Sequence, residues 1–136
     1  MRGVPEMAQW QTYRKAGKYF CNGGMTTGDQ FSSALYASDS NANDITLRFR
    51  SEINGPPISG TEQVLQGVQW SEVGPGVKRL TASPVIWAGS LVGISGCVVH
   101  HQLTTRLVAY CLLNSVPFSV PLGQSLSVGC TLFELS

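Results

Sequence analysis

The chain has 136 residues, 43% of them hydrophobic and only 12% charged, with a formal net charge of +1. This length suits one domain, large enough to remove roughly two thirds of the unfolded chain's surface from water. The near-zero charge gives no general case for a nucleic-acid partner, and no stretch approaches the ~20 continuous apolar residues a membrane-spanning helix needs. Charged residues are at about half their usual share, so part of the surface is expected to be buried in an assembly.

Residues 1–28 read as an N-terminal arm or short helix. The start, Met1 to Met7, lacks the apolar core of a secretory signal. Pro5 to Phe20 is the helical candidate: Pro5 suits a first turn, and Met7, Trp10, Tyr13 or Arg14, and Gly17 recur at helix-like spacing. Gly17 and the pair Gly23-Gly24 limit its length. Arg2, Arg14, Lys15 and Lys18 stand against the single acid Glu6, with Trp10, Tyr13 and Tyr19 interleaved. Such a stripe could touch nucleic acid by charge and stacking. The favoured reading is an arm on an acidic neighbouring subunit, with aromatic anchors. Arg2, Trp10, Tyr13, Arg14, Lys15, Lys18 and Tyr19 are therefore the candidate partner-binding residues.

Residues 29–136 read as strands. Phe31 to Ala37 alternates, with Phe31, Ser33 and Leu35 opposite Ser32, Ala34 and Tyr36, one face being wetter. Ser38 to Asp44 is dense in turn formers. Ile45 to Arg50 alternates strictly and predicts a strand, with Ile45, Leu47 and Phe49 inward. After the proline-stiffened loop from Asn54 to Gly60 come strands over 63–73 and 77–88, parted by Gly74-Pro75-Gly76. The last third carries apolar strands at 92–100, 106–113 and 126–135, with a shorter apolar run at 117–122, the signature of an antiparallel meander. The run from Arg106 to Leu113 has two apolar faces, Leu107, Ala109, Cys111 and Leu113 against Val108, Tyr110 and Leu112, which suits a central strand covered on both sides. With no helix between strands, the fold class is all-β, an antiparallel sandwich or jelly-roll-like domain.

Chemistry does not converge in this pattern. Cys21, Cys97, Cys111 and Cys130 form no C-x-x-C pair, and are expected as reduced thiols. His100 and His101 face opposite sides of a regular strand and cannot grip one metal ion together. No nucleophile elbow, paired-carboxylate face or phosphate loop appears. No catalytic residue, cofactor or metal is expected.

Four segments carry a resemblance. Phe31-Ser-Ser-Ala-Leu-Tyr-Ala-Ser38, Ser83-Pro-Val-Ile-Trp-Ala-Gly89, the hairpin from Val98-Val-His-His101 to Arg106-Leu-Val-Ala-Tyr110, and the ending from Val116 to Val128 succeed one another as in a family of small β-rich virion structural proteins of tailed bacteriophages. The likeness runs from Phe31 onward and leaves the N-terminal residues unmatched. It implies a virion structural protein, assembled in the host bacterial cytoplasm, with the major capsid protein or neighbouring virion subunits as partners and a homo-oligomeric state. Within that class a capsid decoration (cement) subunit is expected ahead of a tail or head–tail connector protein. A host-glycan-binding sandwich is the other alternative, and it would require Trp70, Trp87 and Tyr110 to be exposed together; strand alternation predicts that they are mostly buried.

Overall fold

The computed structural model describes residues 2–3, 10–37, 40–114 and 116–135, of which 2–3 and 133–135 are described as backbone alone. Among them are eleven strands: β1 (Arg2–Gly3), β2 (Trp10–Thr12), β3 (Phe31–Tyr36), β4 (Gln63–Val64), β5 (Gln69–Gly74), β6 (Val77–Ala88), β7 (Leu91–Ile94), β8 (Gly96–His101), β9 (Leu107–Leu112), β10 (Phe118–Val120) and β11 (Ser125–Leu135). One short helix, α1 (Ala16–Cys21), and a 3₁₀ turn at Arg50–Glu52 complete the described elements. One sheet has the order β1-β11-β6-β5 and the other β2-β9-β8-β3-β4, while β7 and β10 form a separate two-stranded ribbon. The all-β sandwich is thus the fold.

The two sheets meet through one apolar core. Leu80, Val85 and Trp87 from β6 and Leu126, Val128, Cys130 and Leu132 from β11 face Phe31, Leu35, Cys97, Val99, Val108 and Cys111 from the five-stranded sheet. Burying such side chains fully is worth about 1.5–3 kcal/mol each, which makes this interface the main source of stability. A second cluster lies on the outer face of the five-stranded sheet, where Ala34, Tyr36, Val98, Leu107 and Tyr110 pack under Ala42, Ile53 and Tyr13. Hence β3 has no wet face. All six of its residues are buried, because Ala42, Ile53 and Tyr13, with Ile45 and Leu47, pack over the side expected to meet solvent.

Four other expectations change. The last third is not a plain meander: β8 and β9 form a hairpin, but β11 crosses to pair with β6 in the opposite sheet. Two-residue β1 pairs in parallel with β11, although every longer pairing is antiparallel. The strand expected over 92–100 splits at Ser95, whose N–H donates to the Tyr36 carbonyl, so that Ile94 joins the ribbon and Gly96 the sheet. On β9 a register shift opposite Val99 and His100 moves the alternation by one residue, placing Leu107 with Tyr110 in the outer cluster and Val108 with Cys111 in the inner one. The strand is still covered on both faces. Its edge is covered as well, by β2.

The segment from Ile45 to Arg50 is not a strand. The Asp44 carboxylate accepts the Thr46 N–H at 3.0 Å, and one Glu52 carboxylate oxygen accepts the N–H groups of Arg48 and Phe49 at 2.8 Å each. Side chains thereby satisfy donors that a neighbouring strand would have taken, and only a single bridge, Phe49 to Arg106, survives. Ile45 and Leu47 still pack, half-buried, on the outer cluster. The apolar alternation was real; the ladder was not.

Candidate functional site

The described part of the N-terminal segment is built into the sandwich and does not stand apart as an arm. Trp10, Gln11 and Thr12 pair with Cys111, Tyr110 and Ala109, so β2 extends the five-stranded sheet. The helix expected from Pro5 to Phe20 is confined to Ala16–Cys21; residues 4–9 lie outside the described residues, and Arg2 is placed only as backbone beside Leu126. The three aromatic candidates are engaged inward. Trp10 Nε1 donates to the Gly129 carbonyl at 2.9 Å, and the fully buried Tyr13 donates its O–H to the Ala42 carbonyl, with burial pushing its phenol pKa up. The Tyr19 ring lies under the Arg106 guanidinium, 3.7 Å from its centroid. Arg106 needs that ring face, since its buried Nε has no hydrogen-bond partner among the described residues.

Arg14, Lys15 and Lys18 are exposed. Positions 14 and 18 are four apart and 15 and 18 three apart, which brings the cations to one side of α1 and its lead-in. Among the described residues none of the three forms an ion pair within 4.0 Å, although Arg14 lies close enough to help hold the Asp44 carboxyl below its ordinary pKa, after the Thr46 hydrogen bonds. Most described acids are already occupied: Asp29 by His101, Glu52 by backbone N–H groups, Glu62 by Arg50 at 3.2 Å. Of the seven candidates, the three cations of this segment thus stand exposed side by side, while Trp10, Tyr13 and Tyr19 are engaged within the body.

The adjacent histidines do point to opposite faces, and each meets a carboxylate distant in sequence. His101 sits on the inner side against the Phe31 ring, with Nε2 2.9 Å from Asp29 Oδ2 and Nδ1 2.7 Å from Thr104 Oγ1. Nε2–H can donate to the Asp29 carboxylate, while Nδ1 and the Thr104 hydroxyl share the second bond in the direction the tautomer sets. These bonds hold the Asp29 carboxyl below its ordinary range, the His101 bond first and the Thr26 N–H second. A cleft of about 420 Å³ adjoins the group, lined by Asp29, Gln30, His101, Gln102 and Leu103. Its lining omits the Thr104 hydroxyl, which instead accepts the Arg106 N–H at 3.3 Å. The arrangement has the order of a nucleophile–base–acid relay, and it ties the β8–β9 hairpin tip to the loop before β3. Sequence reading missed it, because a separation of 72 positions between Asp29 and His101 leaves no local signal.

His100 faces the outer side, 3.5 Å from Glu62, which also pairs with Arg50. Burial, and next the Arg50 charge, lower its pKa to about 4 against the opposing pull of Glu62. It is therefore neutral at pH 7, and its 3.5 Å contact with Glu62 is not an ion pair there. No group of three or more His, Cys, Asp or Glu among the described residues is placed to hold a metal ion. The thiols of Cys97, Cys111 and Cys130 are buried and free, with burial raising Cys111 to about 12 and Cys130 to about 11; Cys21 is free and exposed.

The aromatic set that a sugar platform would need is not assembled. Trp87 is 3% and Tyr110 7% exposed, and the half-buried Trp70 meets the Phe20 ring edge-on at 5.6 Å. What the surface offers instead is aliphatic. Val92, Val116 and Leu122 are 72%, 68% and 84% exposed, on or beside the β7–β10 ribbon, and Leu103 projects from the hairpin tip. No helix among the described residues is long and apolar enough to cross a membrane. No protein-family model, curated protein or solved structure matches this chain.

Proposed function

We propose that this chain is a structural subunit of a tailed-bacteriophage virion, a capsid decoration protein that docks on neighbouring subunits of the head. The observation that carries the reading is a sparsely charged sandwich whose surface divides into a rigidly mounted cationic group and an aliphatic end, both suited to other proteins. The segments that carry the phage resemblance supply β3, the end of β6, the β8–β9 hairpin, and β10 with the start of β11. Its role is mechanical and not enzymatic: the body adds contact area on the lattice, and Arg14, Lys15 and Lys18 meet an acidic patch on the adjoining capsid subunit. Since Trp10, Tyr13 and Tyr19 are turned inward, stacking on nucleic-acid bases has no platform there, which favours the protein partner.

The test is copy number in purified virions by quantitative electrophoresis. Decoration predicts copies in proportion to the capsid subunits, and a few copies per particle would move the protein to the tail or connector. Absence from particles would remove the reading altogether. A second measurement uses the charge-reversed pair Lys15→Glu and Lys18→Glu, which should weaken binding to particles lacking this protein and make the residual binding less sensitive to salt. Truncation before Asn22 is a poor substitute, because it also removes Tyr13 and Ala16 from the core.

A further inference from the structure

Asp29, Asp44, Glu52, Glu62 and Glu72 are the carboxylates whose side chains are described, and all but Asp29 stand beside a lysine or arginine. Arg50 is 3.2 Å from Glu62 and Arg48 is 3.9 Å from Glu52. Arg14 acts on Asp44, and Lys78 lies directly across the β5–β6 pair from Glu72. Asp29 has no such neighbour among the described residues. Its Oδ2 accepts the Thr26 N–H at 3.1 Å and meets His101 Nε2 at 2.9 Å, while the Thr26 hydroxyl reaches Oδ1 at 3.3 Å. These bonds orient the carboxylate and favour its ionised form, but they bring no lysine or arginine to offset the charge.

That charge opens on the cleft of about 420 Å³ between the loop before β3 and the β8–β9 hairpin tip. The Asp29 side chain is 38% exposed there, and Gln30, Gln102 and Leu103 complete the wall with the buried His101. The Gln102 N–H donates to the Gln30 carbonyl at 3.0 Å, which ties the two sides of the cleft together. One ionised carboxylate, two uncharged amides and an exposed aliphatic side chain thus share one concavity. An anion would meet Asp29 there with no lysine or arginine in the lining, and a neutral group would leave the charge unmatched. A cation on an aliphatic stem suits every part of the wall. Guanidinium fits better than ammonium, because it is weakly hydrated and its planar fork of N–H groups can reach several separate acceptors at once. Its stem can lie along Leu103. We propose that this cleft receives an arginine side chain of a neighbouring protein, with Asp29 as the counter-ion and Thr26 and His101 as positioning residues. The proposal rests on the cleft and not on the virion reading, so a failed titration leaves that reading in place.

The experiment is an NMR titration of the full chain, followed by its backbone amides at pH 8, where an imidazole is ordinarily neutral. The probe is acetyl-arginine amide, whose ends carry no charge, and the control is acetyl-citrulline amide, its uncharged isostere. The arginine probe should move the resonances of residues 29–30 and 101–104 with a dissociation constant on the order of 1–10 mM, and the citrulline control should leave them in place. Asp29→Asn should weaken binding roughly 10-fold or more. That change also alters the contact with His101, so Gln102→Lys serves as a second variant. It lies on the exposed wall, leaves the Thr26 bonds to Asp29 in place, sets its own cation in the cleft and should block the probe, with circular dichroism melting unchanged. Glu72→Gln should bind the probe as the unaltered chain does. No movement of these resonances up to about 50 mM arginine probe overturns the proposal. So does equal binding of the citrulline control, or binding that survives both Asp29→Asn and Gln102→Lys.

Discussion

The segment from residue 10 to residue 79 and the segment from residue 80 to residue 133 form one sandwich held by different means. The second is almost without charge and folds by hiding apolar faces: β6, β8, β9 and β11 lend the inner core most of its side chains. The first holds nearly all the described charges, and much of it is loop laid over the outer face. There, side chains do what a sheet ladder does elsewhere. Asn41 and Asn54 each accept the other's backbone N–H, at 2.6 and 2.7 Å, while Asp44 and Glu52 cap the N–H groups of 46, 48 and 49. The contrast teaches that charge serves folding, and an exposed cationic group, in one segment and is kept off the surface in the other.

The largest effect should come from breaking the apolar side. Trp87→Ala removes a 3%-exposed indole from between the sheets and strands the Thr61 carbonyl it bonds, and should cost about 3–5 kcal/mol in denaturant unfolding. A smaller loss, within about 1 kcal/mol, would mean that the sheets can close over the space.

Acid should act on the charged side. The folded-state pKa of His100, about 4, lies below its unfolded value of 6.5, so the unfolded chain takes up the extra proton. The stability conferred by neutral burial is complete above pH 6.5 and is lost as pH falls toward 4, on the order of 3 kcal/mol in all. Urea midpoints at pH 7, 5.5 and 4.5 should fall for the unaltered protein and much less for His100→Gln. Equal falls in both would deny His100 the role. The carboxyls of Asp29, Asp44 and Glu52, held below their ordinary values by hydrogen bonds, add further losses only at lower pH.

Next comes Tyr13→Phe, which keeps the ring and leaves the Ala42 carbonyl without its donor. It should cost about 1–3 kcal/mol by the same unfolding measurement. No change would mean that water replaces the hydroxyl. The smallest effect belongs to Lys15→Glu with Lys18→Glu, whose stability should stay within about 0.5 kcal/mol of the unaltered protein while docking suffers. That separation of stability from binding is the sharpest form of the contrast, and a large destabilisation would erase it.

The strands at 77–88 and 125–135 were legible within a residue or so, because apolar periodicity and the Gly74-Pro75-Gly76 turn are local signals. The exposed cations of the candidate site were legible for the same reason, as charge spacing is written along the chain. Its aromatics were not: Trp10 and Tyr13 read as anchors for a partner until β9 offered them a sheet edge and a core. Ile45 to Arg50 misled in the reverse way, since Glu52 and Asp44 replaced the ladder its alternation implied.

By itself, then, the sequence determined the all-β class, the two-faced burial of the strand at 107–112, and the opposite facing of His100 and His101, all of which follow from a two-residue period acting locally. Only the tertiary structure decided which carboxylate each histidine meets, which sheet each strand of the last third joins, and that residues 10–25 belong to the body. Those outcomes depend on contacts between residues tens of positions apart, such as Asp29 with His101 and Trp10 with Gly129, and no local preference encodes them.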